Sequence, residues 1–514
     1  MIDRLNIKLD RLQILILAVA FVVSMYSFYF FMNNKVYLIG SDVFYYMSIA
    51  DSILEYGEMR DITAIPSFPV KSPQNGIVFV HVILSLFGLG AKGRILTIVV
   101  INYLLYLSGV YPLYKIARWS GLRKGLPLIA LLSVYLGAWH IYRINLLAIN
   151  DGIFNSLTLW LIYLVIKFIR EMDALESISL YKSAVKEILI LSLIVMVLVQ
   201  FRLNAALVIG SALISALAVR DYRASLFLVS MCVLLLVSFL AVYLFIEVVR
   251  LENVGERYFF PMFRAISISS IKLQLWKILP RLVAGLSGLT NPLATLIFAI
   301  FPLSMMYYGI RGLIDRNFSQ VFIAGTCLTG LWFTMSFQNA RVIWYIFPLI
   351  YLILLSFKSI RFAGYAFVLL VFLQSLQQFY IGFPRGSESK LWLHIYDQSI
   401  SLPDNSLLSS HNRRHPYFFL ETRNYLGSGS WREVLEEIKA PGKFMPRLTW
   451  DLVNEYGSLF VMGNSTYIDS TFTQVSEMSA SYGYKIQTKP LTPDLDKFKG
   501  WALVEFQITE DDPL

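Results

Sequence analysis

The chain of 514 residues has only two cysteines, Cys232 and Cys327, and each lies inside an apolar run. A disulfide framework is therefore excluded. So are a cysteine-based metal site and a thiolate nucleophile, because buried cysteines act as small apolar packing residues. Charge is also scarce: Asp, Glu, Lys and Arg together make 15% of the chain, against roughly a quarter in soluble proteins. Histidine occurs five times. His81 and His140 stand alone near the ends of apolar runs, the usual setting of packing or hydrogen-bonded histidines. The net charge of +10 does not imply a nucleic-acid partner. The surplus Lys and Arg sit in loops between apolar runs, where they set orientation in a membrane.

What the chain has in abundance is apolar sequence, 57% of all residues. The runs repeat at about 17–25 residues, the length needed to span a bilayer. The first, "LQILILAVAFVVSMYSFYFFM" (12–32), is too long for the apolar region of a signal peptide. No small-residue cleavage site follows it, so a retained span is expected.

Loop charge orders the spans. Arg4, Lys8 and Arg11 put the N-terminus in the cytoplasm. The run 76–90 is short and carries His81. If it does not cross, the loops 115–125, 167–187, 220–223, 311–317 and 358–361 are cytoplasmic, and each holds at least two Lys or Arg. The external turns near 140–150, 200–204 and 338–341 hold one Arg each. The long loop 247–283 is basic and external, and long loops weigh less in this rule. The expected fold class is an α-helical polytopic membrane protein with about eleven spans, N-terminus inside and C-terminus outside. The expected location is a prokaryotic inner membrane.

Two places break the apolar runs with charge. "QFRLN" (200–204) is the only polar turn between two basic flanks, so Arg202 is expected at or below the outer surface. "HIYRINLLAIND" (140–151) does the same with Arg143 and Asp151. Ionisable residues at that depth face a bundle interior or a wet cavity. The alternative is that each Arg snorkels to the head groups, and that Asp151 only caps the helix starting "DGIFNSL".

The first run is followed by "SDVFYYMSIADSILEYGEMRD" (41–61), with five acids and three tyrosines. Ser41 or Asp42 is a suitable N-cap, and Gly57 a suitable C′ residue. Tyr46, Met47, Ala50, Ile53 and Leu54 share one helical face; Ser48, Asp51 and Glu55 share the other. The periodicity predicts a helix lying flat on the outer surface, with Asp51 and Glu55 solvated. The run 76–90 reads as a second such helix, dipping into the membrane edge.

These segments, in order, carry a resemblance. "SDVFYYMSIADSILEYGEM", "KSPQNGIVFVHVILSLFGLGAKGRIL", "LYKIARWSGL" and "YRINLLAINDGIFNSLTLWLIYL" resemble the GT-C superfamily of membrane glycosyltransferases. The nearest pattern is that of the protein mannosyltransferases and lipid A aminoarabinose transferases. "FRLNAALVIG" and "ARVIWYIFPLIYLILL" resemble later elements of that group, so the likeness runs over residues 12–360. Here Asp42 is followed by Val43 in place of a second acid, and "KSPQ" stands for Lys-Pro-Pro. The resemblance implies a transferase using a polyprenyl-phosphate-linked sugar donor. It implies that Asp42 is the catalytic carboxylate and that Lys71 contacts the carrier phosphate. The acceptor would be a glycan, a lipid or a protein.

The chemistry agrees. A lipid phosphate is a good leaving group, so no general acid is required. A base on the acceptor side and cations at the phosphate are. One carboxylate is expected, unlike the two of a glycosidase. Lys71, Arg202 and Arg341 are the candidate phosphate-binding residues, with Arg143 and Asp151 in support. Asp42, Asp151 and His81 are the candidates for a divalent metal, which some GT-C members use. A lipid-linked glycan polymerase or ligase is the neighbouring alternative. A transporter would show internal repeats, and none is visible.

The composition turns soluble after Tyr380. In 381–514, "SWREVLEEIKAP" (430–441) and "TYIDSTFTQVSEMSASYG" (466–483) read as helices. "SLFVMG" (458–463), "YKIQTKPL" (484–491) and "GWALVEFQI" (500–508) read as strands. A small external α/β domain is expected, which by the resemblance covers the site or holds the acceptor. "HNRRHPYFFLETRN" (411–424) is a basic and aromatic cluster suited to a phosphate, a glycan or lipid head groups.

Overall fold

The structure, a computed structural model, describes residues 11–38, 41–62, 68–69, 76–122, 125–137, 146–173, 180–202, 204–221, 292–337, 345–358, 387–403, 407–410, 418–420, 425–427, 458–492 and 501–510, with short pieces in 225–233 and 361–373. The chain divides into two compact units. The first comprises Met1–Asn34, Lys71–Ile77 and Leu96–Gly382; the second comprises Lys35–Val70, Val78–Ile95 and Phe383–Leu514. The loop after the first apolar run is thus grouped with the C-terminal segment.

The first unit is helical. It contains α1 (Arg11–Asn33), and parts of α3 (Gly76–Leu86) and α4 (Ala91–Ser108). Then follow α5 (Val110–Trp119), α6 (Leu126–Gly137), α7 (Asn150–Asp173), α8 (Leu180–Phe201), α9 (Asn204–Ala218), α10 (Pro292–Ile314), α11 (Phe318–Phe337) and α12 (Ile346–Ser356). Among the described residues, three helical stretches are long and apolar enough to cross a membrane: Ile14–Asn33, Ala91–Trp119 and Asn150–Glu171. Six further apolar helices are shorter. The expected count of about eleven is not reached within the described residues; the loop 247–283 lies outside them.

Lipid tails are as apolar as leucine, so helices in a bilayer associate through small residues and hydrogen bonds. Both devices are present. A Cβ added at Gly309 or Gly312 of α10 would meet Ala324 Cβ at 3.2 Å or Gln320 Cβ at 2.8 Å of α11. Ser211 of α9 and Thr329 of α11 share a hydrogen bond of 3.0 Å. Tyr106 of α4 and Tyr135 of α6 each donate to the other's backbone carbonyl, and their rings lie 4.6 Å apart. Trp119 of α5 stacks on Tyr163 of α7 at 5.3 Å, and Trp160 of α7 donates to Ser108 at the end of α4 at 2.9 Å. This seam buries ring area while giving the indole N–H a partner.

The second unit holds a short helical turn at Val36–Leu38, α2 (Ser41–Tyr56), and the small antiparallel pair β1 (Arg60–Asp61) and β2 (Phe68–Pro69). Near the C-terminus come α13 (Ser387–Asp397), β3 (Leu407–Ser410), β4 (Tyr425–Gly427), β5 (Ser458–Asn464), α14 (Ser465–Ala480), β6 (Tyr484–Pro490) and β7 (Trp501–Glu510). The five strands run in the order β4-β3-β5-β7-β6. β3 pairs in parallel with β4 and β5; β7 pairs antiparallel with β5 and β6. Leu459 and Val461, then Ala502, Val504 and Phe506, share one core with Val475 of α14, and Phe460, Met462 and Leu503, which alternate with them, are buried as well. The predicted strands and the helix at 466–483 appear within a residue or a few of their expected bounds. The helix expected at 430–441 lies outside the described residues.

Candidate functional site

α2 ends as its sequence predicts. Gly57 takes φ +71°, and its N–H closes on Ile53 O at 3.0 Å. Its start differs from the expectation, because Ser41 and Asp42 already lie in the first helical turn. Asp42 is half-buried there, where the positive end of the helix dipole favours a carboxylate.

The flat surface helix is corrected. Val43, Phe44, Tyr46, Met47, Ser48, Ile49, Ala50 and Ser52 are all buried, so burial extends beyond the expected apolar face. Leu54, expected on the greasy face, is 40% exposed. The reason is cover by protein rather than lipid. Phe44 stacks on Phe418 at 4.8 Å and meets Phe419 edge-on at 5.5 Å. Phe419 in turn stacks on Trp392 of α13 at 5.3 Å. The serines tolerate burial because Ser48 donates to Tyr45 O at 2.9 Å and Ser52 to Glu58 O at 2.8 Å. So the aromatic part of 411–424 packs on α2; residues 411–417 and 421–424 lie outside the described residues.

Asp51 is not solvated either. Arg94 Nη1 donates to its Oδ1 at 2.6 Å, and the side chains are 5% (Arg94) and 19% (Asp51) exposed. The sequence contained no local signal for this pair, whose members lie in different helices. His81 is fully buried nearby in chain terms, on α3. Burial pushes its pKa down, the Arg94 charge adds to that, and the value falls to about 3. It is a neutral imidazole at all ordinary pH values.

In the first unit the turn at "QFRLN" forms as expected: α8 ends at Phe201 and α9 begins at Asn204. Gly76 makes room for this turn, since a Cβ there would lie 2.7 Å from Phe201 Cγ. Arg202 follows directly. Its Nε and Nη2 reach Asp151 Oδ1 at 2.8 and 2.7 Å. Asp151 is fully buried in the first turn of α7, and the Arg202 side chain is 13% exposed. The preceding Asn150 accepts the Ile77 N–H at 3.0 Å, which ties the start of α3 to the start of α7. Arg202 therefore does not act as a lone snorkelling cation; it is held by a carboxylate inside the bundle.

Lys71, Arg143 and Arg341 lie outside the described residues. Of the metal candidates, Asp42 and His81 belong to the second unit and Asp151 to the first. Among the described residues no three His, Cys, Asp or Glu side chains gather as a metal site. Asp151 is already matched to a guanidinium, and His81 has a cation for a neighbour, so neither setting suits a divalent ion.

No family model and no curated protein matches the chain. Among solved structures it is similar to the archaeal oligosaccharyltransferase AglB from Archaeoglobus fulgidus in complex with an inhibitory peptide and a dolichol-phosphate. That likeness has 11% identity and a TM-score of 0.49, covering 98% of this chain and 75% of that one. It is also similar to the Archaeoglobus fulgidus oligosaccharyltransferase in complex with Zn and sulfate, with 12% identity, a TM-score of 0.48 and coverage of 95% and 72%. Likeness at this level carries nothing over to the chemistry of this chain.

Proposed function

We propose that the protein is an inverting membrane glycosyltransferase of the GT-C type. It would move a sugar from a polyprenyl-phosphate carrier to a glycan, lipid or protein acceptor on the external face of the membrane. The observation that carries this reading is the buried Asp151–Arg202 pair, set in an otherwise apolar bundle at a break between two helices. Ionisable side chains are costly in a membrane, and intramembrane charge of this kind marks substrate paths. The order of sequence motifs from Asp42 to "ARVIWYIFPLIYLILL" supports the same reading.

In this mechanism the acceptor hydroxyl oxygen attacks the anomeric carbon, and the bond from that carbon to the phosphate oxygen breaks. The hydroxyl proton passes to the Asp42 carboxylate. The bonding pair leaves with the polyprenyl phosphate, whose growing charge is met by Lys71, Arg202 and Arg341, with Arg143 in support. Asp151 orients Arg202 and leaves part of its fork of donors for phosphate. A single displacement inverts the centre. Among the described residues no cluster of three His, Cys, Asp or Glu side chains offers a metal site, and no step is routed through a metal.

The test is Asp42→Asn, assayed with a polyprenyl-phosphate sugar in proteoliposomes. The amide keeps shape and cannot take the proton. Transfer should fall by about 10²–10⁴, with carrier binding and melting temperature close to wild type. Wild-type turnover in Asp42→Asn would reduce the residue to a helix-start carboxylate and remove the proposal.

A further inference from the structure

A cleft of about 690 Å³ opens in the first unit where three connections meet. It is lined by Arg170 at the end of α7, Arg220 and Asp221 after α9, and Asp315, Arg316 and Ser319 at the turn from α10 to α11. All three are connections that loop charge expects on the cytoplasmic side, and their meeting at one cleft puts them on the same side of the bundle. The proposed transfer site would lie on the external face; this cleft is a different place.

The backbone at the two central arginines is unusual. Arg220 has φ +62° and Arg316 φ +47°, the left-handed region. Both close a helix by the same pattern. Asp221 N–H bonds Ala216 O at 2.9 Å and Arg220 N–H bonds Leu217 O at 3.0 Å. Asn317 N–H bonds Gly312 O at 2.7 Å and Arg316 N–H bonds Leu313 O at 3.2 Å. Among the described residues the same pattern is closed by glycine at Gly88 and Gly121, and by a small serine at Ser399. Glycine is the residue that fits without strain. Of the four non-glycine residues at positive φ among those described, two are these arginines, and both line one cleft. Strained positions held by a bulky side chain are a feature of functional sites.

Charge and surroundings point to the ligand. Asp315 is matched by Arg311 at 3.6 Å. That leaves Arg170, Arg220 and Arg316 facing Asp221 alone among the charged lining residues. Arg170 is steadied by the Trp119 ring at 5.6 Å. The cleft opens at the end of helices whose neighbouring Leu313 and Ile314 are 41% and 77% exposed, an apolar margin beside the cations. We propose that this cleft binds a phosphate-bearing anion, with the headgroup of an anionic phospholipid as its occupant. Planar guanidinium forks bind phosphate oxygens bidentately, and the apolar margin accepts acyl chain.

The test separates the arginines' two roles, because glycine restores the preferred backbone while deleting the cation. The full-length protein is purified in detergent, titrated with phosphatidylglycerol or phosphatidylcholine, and read by native mass spectrometry beside its melting temperature. Wild type should retain phosphatidylglycerol over phosphatidylcholine. Arg220→Gly/Arg316→Gly should melt no lower than wild type, yet lose retention of phosphatidylglycerol by roughly 30-fold, about fivefold per arginine. Inorganic phosphate added to the wild type separates the sources. Displacement of the lipid at millimolar phosphate means that the phosphate group alone is recognised, and persistence means that headgroup and chain are read together; either outcome supports a phosphate site. Equal retention by the glycine variant and wild type overturns the proposal and leaves both arginines as helix ends.

Discussion

Arg202 gives two N–H groups, Nε and Nη2, to one oxygen of Asp151, at 2.8 and 2.7 Å. The two residues are 51 positions apart. Removing one partner strands the other's charge in the bundle, which costs about 3–5 kcal/mol. Arg202→Ala should therefore lower the melting temperature, and Asp151→Asn combined with Arg202→Gln should recover much of the loss. Arg202→Lys should restore stability in part and transfer hardly at all, since the fork is lost. Unchanged stability in Arg202→Ala would show that the pair holds nothing together.

The start of α3 and the Arg202 turn meet without a spare atom. Gly76→Ala would put a Cβ 2.7 Å from the Phe201 ring. Phe201 is 6% exposed and has little room to move. Overpacking of this kind costs about 1–3 kcal/mol. Phe201→Leu in the Gly76→Ala background should return part of that stability. A double variant no better than the single one would locate the strain elsewhere.

His81 sets an acid limit. Its folded pKa of about 3 lies below the ordinary value of 6.5. The unfolded chain thus takes up a proton at His81 that the folded chain refuses. Stability from this residue is complete above pH 6.5 and is lost as pH falls from 6.5 toward 3. The slope is roughly 1.4 kcal/mol per pH unit within that window. His81→Leu should flatten the melting-temperature profile between pH 6 and pH 4 by removing about that slope. Parallel profiles for the two proteins would mean that the imidazole reaches water.

Phe44 joins α2 to the C-terminal part of its unit through Phe418 and Phe419. It is fully buried. Phe44→Ala should cost about 3–5 kcal/mol and should raise protease cleavage between residues 383 and 403. By contrast, Lys35 and Asp397 form an ion pair whose side chains are 33% and 48% exposed. Asp397→Asn should cost less than about 1 kcal/mol. A larger loss from Asp397→Asn than from Phe44→Ala would make the ion pair, and not the aromatic cluster, the main tie within this unit.

Short-range signals were legible in the sequence. The end of α2 follows from a glycine free to take φ +71°. The turn at 200–204 follows from polar residues between apolar runs with basic flanks. The strands at 458–464, 484–490 and 501–510 follow from short runs of β-prone residues. Each depends on residues within one or two turns of the element, so each is written locally. Partnership was not. Asp51 looks like a solvated acid until Arg94 arrives from another helix, and Ser48 looks like surface until α2 is covered by Phe418 and Phe419. The match of Arg202 to Asp151, and the meeting of Arg220 with Arg316 at one cleft, join segments 51 and 96 residues apart. Periodicity says which face of a helix can be buried. What covers that face, and which charge is taken out of water beside which partner, is decided only when distant segments pack.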